Sequence, residues 1–97
     1  MKIIWSPLAI SRASGIAEYI SQDNPDAAVK WIERIFEKIR QLKKYPESGR
    51  ILPELEMEDI RELIYGNYRI VYRIKQGTII IMTIRHSRQI LPEDETK

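Results

Sequence analysis

Residues Thr78 to Ile84 form an almost unbroken apolar, β-branched run, Thr-Ile-Ile-Ile-Met-Thr-Ile. A run this short is a strand rather than a membrane span, and its lack of alternation predicts a central strand buried on both faces. The residues before it alternate. Tyr68, Ile70, Tyr72 and Ile74 share one face of a predicted strand, and Arg69, Val71, Arg73 and Lys75 share the other. Gly66-Asn67 and Gln76-Gly77 fit two-residue hairpin turns, so Arg61–Tyr65, Tyr68–Lys75 and Thr78–Ile84 form a three-stranded antiparallel meander within residues 60–88. Tyr68 and Tyr72, opposite the arginines, are expected in the core or against helices.

The first half of the chain has the other period. Lys2–Trp5 reads as a short strand. Ser6 then caps a helix with Pro7 in its first turn, and Ala9, Ala13, Ile16 and Ile20 lie on one face. Gly15 interrupts this helix and predicts a place where another backbone comes close. Asn24-Pro25-Asp26 stops that helix and starts a second, in which Ala28, Ile32, Ile35, Ile39 and Leu42 form the core stripe, widened by Val29 and Phe36. Trp31 falls off this stripe and is expected to be exposed. Pro46 ends the helix. The short linker predicts an antiparallel helical hairpin over residues 6–45. The fold class is therefore α+β in one domain over residues 1–97: strand 1–5, hairpin, the Pro46–Arg50 turn, an acidic loop 53–59, the meander, and a frayed acidic tail 89–97.

Composition excludes several functions. The chain has no cysteine and a single histidine, His86, which removes disulfides, thiolate metal sites and His-rich metal centres. No glycine-rich phosphate loop is present. The N-terminus lacks a secretory apolar stretch, so a cytoplasmic location is expected, with no membrane association. No cofactor or metal is expected. Charge is uneven: residues 53–59 carry −4 and residues 60–88 carry +5. A basic β half suits an anionic partner, nucleic acid or an acidic protein segment.

The run Asp59-Ile-Arg-Glu-Leu-Ile-Tyr-Gly-Asn-Tyr-Arg-Ile-Val-Tyr-Arg-Ile74 resembles the signature of the RelE/ParE toxin superfamily of bacterial type II toxin–antitoxin modules. Trp5-Ser6-Pro7, Asn24-Pro25-Asp26-Ala27-Ala28, Tyr45-Pro46-Glu47-Ser48-Gly49-Arg50 and Ile84-Arg85-His86-Ser87-Arg88 support it. The resemblance implies one of two activities. RelE-like members cut messenger RNA on the ribosome without a metal, whereas ParE-like members poison DNA gyrase. A metal-free ribonuclease needs a general base, a general acid and fixed positive charge for the pentacovalent phosphate. By position, the resemblance assigns such roles to Arg69, Arg88 and Arg61, with His86 the available proton carrier. The second member of the basic pair falls at Leu63, and the RelE-type C-terminal tyrosine has no counterpart. These gaps, the long capped hairpin and the Pro-Glu-Ser-Gly-Arg turn place the resemblance nearer the ParE branch. It then implies a plasmid-stabilisation-type toxin that inhibits gyrase, with Arg69, Arg73, Arg85 and Arg88 as target-binding residues and a cognate antitoxin as partner, covering apolar surface near Trp31 and Tyr19. The alternatives are a ribosome-dependent endoribonuclease acting on mRNA and a non-toxic relative that only binds antitoxin.

Overall fold

The computed structural model describes residues 1–55, 57–87 and 95. Strand β1 (Lys2–Trp5) leads into helix α1 (Pro7–Asp23), then α2 (Pro25–Arg40) and a 3₁₀ turn (Gln41–Lys43). Four strands follow: β2 (Arg50–Ile51), β3 (Ile60–Tyr65), β4 (Tyr68–Lys75) and β5 (Thr78–His86). They form one five-stranded sheet in the order β1-β5-β4-β3-β2. The α+β class, the N-terminal strand, the helical pair and the meander are all present. The sheet extends beyond the three strands expected. β1 adds to it parallel to β5, with Lys2 opposite Thr78 and Trp5 opposite Ile81. Arg50, expected in a turn, and Ile51 pair with Glu62 and Arg61 as a short edge strand.

The helix ends follow from local chemistry. Ser6 Oγ accepts from the Ala9 amide at 3.0 Å, and Pro7 occupies the first turn, where a missing amide costs nothing. Asn24 closes α1 through its amide and opens α2 through its side chain, which accepts from Ala27 at 3.1 Å. One residue thus separates the two helices, and they must fold back on each other. Gly66 takes φ +57° in the β3–β4 turn, and Gln76 (φ +50°) with Gly77 (φ +75°) makes the β4–β5 turn.

Both helices lie on one face of the sheet. The core there is built from Ala9, Ala17, Trp31, Ile35, Ile39 and Leu42 against Ile70, Tyr72, Ile79, Ile81 and Ile84. Trp31 is 7% exposed and belongs to this core, which corrects the expectation that it lies off the packed stripe. The buried row of α2 is Ala28, Trp31, Ile35, Ile39, and Ile32, Phe36 and Val29 lie outside it on an exposed second row. The apolar arc of α2 is wider than its contact, and the indole, the largest side chain on it, is the one enclosed.

β5 carries an irregularity that the apolar run concealed. Val71 pairs with Thr83 and Tyr72 with Ile81, so Met82 is an extra residue, a β-bulge. The bulge reverses the phase of β5. Ile79 and Ile81 face the helices before it and Ile84 faces them after it. Ser6 ties α1 to this point, its amide donating to Ile81 O at 2.9 Å and its hydroxyl to Met82 O at 2.8 Å.

The opposite face of the sheet is covered in part by the 52–59 loop. Leu52, Ile60 and Val71 form a second small core with Leu55 against it. The preceding turn is locked by Tyr72, whose hydroxyl donates to Pro46 O at 2.8 Å and accepts from the Gly49 amide at 2.9 Å. Burial pushes the Tyr72 phenol above its ordinary pKa, so it remains a donor at neutral pH. Gly49 fits because it has no side chain: a Cβ there would lie 2.5 Å from the Tyr72 oxygen and 2.7 Å from the Glu62 carbonyl. At Gly15, by contrast, a Cβ meets nothing within 4 Å, which corrects the expected close backbone approach.

The two glycines therefore predict opposite outcomes. Gly49→Ala is expected to destabilise by about 1–3 kcal/mol through overpacking against immobile backbone. Gly15→Ala, at an exposed helix interior, is expected to stabilise by about 1 kcal/mol. Chemical denaturation monitored by circular dichroism reads both.

Candidate functional site

The sequence-predicted arginines divide between the two faces of the sheet. Register places Arg69 of β4 opposite Ile64 and Arg85, on the face away from the helices and alongside Glu62, Val71 and Arg73. Arg61 pairs with Tyr72 and His86 with Tyr68, on the helix face. The set Arg61, Arg69 and His86 is therefore not assembled around one point. Arg88 lies outside the described residues, as does most of the 89–97 tail.

Arg69 is a structural cation. It is 5% exposed, although an arginine on an outward strand face is expected to be solvated. Its Nε donates to Glu62 Oε2 at 2.7 Å, while Nη1 and Nη2 grip the two oxygens of Glu54 at 2.8 and 3.0 Å. Glu62 is 1% exposed, and its other oxygen accepts from Arg50 Nε at 2.7 Å. The Glu54 hydrogen bond, with the charge of Glu62, raises the Arg69 pKa further despite burial. With Glu54 and Glu62 in place, this guanidinium is engaged by carboxylates rather than presented to a phosphate or a target protein, and the geometry weighs against the catalytic and target-binding expectations for Arg69. The network pins the acidic 52–59 loop to the sheet.

The other arginines are engaged too. Arg61 Nη1 donates to Gly49 O at 2.9 Å and Glu47 O at 3.3 Å, so it braces the Pro46–Gly49 turn. Arg73 Nε lies 3.1 Å from Asp59 Oδ2 at a half-exposed position. Arg85 pairs with Glu95, which also accepts from Arg12 at 2.8 Å and from the Thr83 hydroxyl at 2.7 Å. Glu95, in the tail expected to fray, is instead 8% exposed. Burial raises its pKa, but Thr83, Arg12 and Arg85 outweigh burial and hold the carboxyl below its ordinary value. His86 stacks edge-on against Tyr68, whose ring meets Trp31 in the same way, with centroids 5.8 and 5.4 Å apart. Among the described residues, no group of three or more His, Asp or Glu is placed to hold a metal ion. None of the described helices is long and apolar enough to cross a membrane.

Two clefts flank α1. One, of about 440 Å³, is apolar and is lined by Trp5, Ile10, Ala13, Trp31, Ile32 and Phe36. Its rim includes Ile10 at 53% exposure and Phe36 at 49%, and the Phe36 ring lies 5.3 Å from that of Trp5. The other, of about 500 Å³, contains Arg12, Gly15, Tyr19, Tyr68, Arg85 and His86. Tyr19 is exposed as expected, but it and Trp31 line different clefts. Sequence reasoning missed Ile10 and Phe36 as surface residues. The signal for Phe36 was the second apolar row of α2, which exceeds what one sheet contact can bury; Ile10, on α1, had none.

The sequence profile of the ParE toxins of type II toxin–antitoxin systems (parDE) matches residues 3–91. The chain belongs to the ParE toxin family. It is 35% identical over 94 residues to the candidate toxin Y4kP of Sinorhizobium fredii (strain NBRC 101917 / NGR234), covering 95% of this chain and 94% of that protein. Its fold is similar to a chain of the chromosomal ParDE toxin–antitoxin system from P. aeruginosa, with a TM-score of 0.72 and 24% identity over 89% of this chain and 95% of that one.

In this ParE family member, Arg69→Ala is expected to cost about 3 kcal/mol, because it leaves Glu62 and Glu54 short of a buried partner. Arg73→Ala is expected to cost under about 1 kcal/mol, as for an exposed pair. Urea unfolding of both variants measures the contrast. Glu95 has a lowered folded pKa, so its contribution is present above the unfolded carboxylate value and lost as pH falls through the folded one. The stability gap between wild type and Glu95→Gln is therefore expected to close below about pH 4, as read by thermal unfolding across pH 3–7.

Proposed function

We propose that the chain inhibits DNA gyrase and is neutralised by a cognate antitoxin. Family membership supports the toxin role. The observation that supports gyrase over the ribosome is the division of Arg61, Arg69 and His86 across opposite faces of the sheet, with Arg69 held between carboxylates. Metal-free RNA cleavage requires fixed positive charge and proton carriers converging on one phosphate, and these residues do not converge. A gyrase poison needs no such convergence. Arg73 and Arg85, each partly exposed, remain the proposed target contacts on the outward face.

The apolar cleft between α1, α2 and β1 is the proposed antitoxin surface. Ile10, Ile32 and Phe36 expose apolar area that gains roughly 25 cal/mol per Å² on burial. A disordered antitoxin segment folding there as an amphipathic helix suits the shape, since a helix in a groove reads out apolar anchors of this kind. The basic β half adds charge complementarity, which chiefly speeds association.

The purified chain is expected to block gyrase supercoiling and to leave messenger RNA intact on translating ribosomes. Cleaved message with unimpaired supercoiling would reverse the assignment. Phe36→Ala is expected to weaken the antitoxin complex by about 1–2 kcal/mol, as loss of an interface aromatic commonly does, without reducing gyrase inhibition. Binding kinetics with the purified antitoxin, at two salt concentrations, measure this.

A further inference from the structure

Three donors from two elements converge on the Glu95 carboxylate. Arg12 of α1 and Arg85 of β5 both donate to Oε2, and the Thr83 hydroxyl donates to Oε1 at 2.7 Å. Each carboxylate oxygen is satisfied, and the group is 8% exposed. The donors stand on a rigid base, because Ser6 binds the start of α1 to the Met82 bulge immediately before Thr83. Arg85 also holds donor capacity in reserve: its Nε is buried and has no hydrogen-bond partner among the described residues. The cleft beside this cluster has Ile16, Tyr19, Tyr68 and Ile84 in its walls, with Ser11 and His86 adding polar groups. Gly15 lines it as well, and this mid-helix glycine has no neighbour within 4 Å of a built Cβ, so nothing inside the chain requires it. A side chain there would narrow the cleft.

We propose that Arg12, Thr83 and Arg85 form a carboxylate-binding site, filled in cis by Glu95 and open in trans to an acidic side chain of a polypeptide segment lying along α1. The occupant already seen is a carboxylate, held through both oxygens by fork-shaped and hydroxyl donors. Walls that mix Ile16, Tyr68 and Ile84 with Ser11 and His86 suit the varied residues beside an acidic side chain in a peptide better than they suit a uniformly charged phosphodiester backbone. The site stands on this geometry alone. It does not depend on the proposed function, and the test does not involve the antitoxin.

The probe is an acetylated peptide of residues 88–97, titrated calorimetrically into wild type and into the Glu95→Gln chain. In wild type the Glu95 carboxylate already occupies the site and must be displaced, so Glu95→Gln is expected to bind the peptide at least about 10-fold more tightly than wild type. A peptide carrying E95Q is expected to bind at least about 10-fold more weakly, having lost the charge-assisted contacts. Arg12→Ala added to Glu95→Gln is expected to weaken binding by a similar factor. Because the Arg12 side chain is 43% exposed, this double variant is expected to remain folded, which circular dichroism verifies. Equal peptide affinity in wild type and Glu95→Gln, or indifference to Arg12→Ala, overturns the proposal. A short single-stranded oligodeoxynucleotide that binds Glu95→Gln more tightly than the peptide does overturns it in favour of a phosphate site.

Discussion

Everything on the far side of Met82 takes its position from one inserted residue. The bulge in β5 shifts the strand's alternation by one, so Thr83 and Arg85 face away from the helices, while Ile84 and His86 face towards them. With an unbroken ladder, Arg85 would point into the apolar layer beneath α1, where an unpaired guanidinium is prohibitively costly. The bulge is anchored by Ser6, whose side chain at once caps α1 and donates to Met82 O. Helix start, strand phase and the placement of the Arg85 cluster are one interaction, and both clefts are arranged around the helix it fixes.

The second organising principle is that the chain neutralises its own charge. The acidic loop and the basic strands read, in sequence, as a surface waiting for an anion. In three dimensions the loop folds back and supplies the anions: Glu54 to Arg69, Asp59 to Arg73. A buried ion pair such as that of Arg69 contributes little net free energy, but removing one partner is expensive. These pairs specify where the loop lies rather than how strongly the protein folds. The consequence for function is that the outward face presents fewer free cations than a charge count suggests.

The sequence legibly encoded what is periodic. The β4 alternation, the glycine turns, the Ser6 and Asn24 caps and the helical pair follow from local patterns, and the structure contains them. What was illegible depends on distant partners. Nothing in Lys-Ile-Ile-Trp says that it pairs with Thr78–Ile81 in parallel, nor that Arg50-Ile51 is an edge strand. The apolar arc of α2 admitted two choices of buried row, and the volume of Trp31 decided it against Ile32. Arg69 looked available because alternation shows which face a residue is on but not what covers that face. The bulge was invisible because residues 79–82 are all apolar and hide a change of phase. Glu95 was equally unreadable, since its partners come from α1 and β5.

The parallel pairing of β1 with β5 has a temporal meaning. Strand β1 waits for β5, which follows it by more than 70 residues, and the capping Ser6 gains its tie to the sheet only when Met82 is present. Contacts this distant in sequence are slow to form because the loop must close before they yield anything. The nascent chain consequently cannot close its sheet, or fix the arginine-bearing face, until residues beyond 82 have emerged from the ribosome. The two helices are therefore complete long before the sheet that buries their apolar face can form.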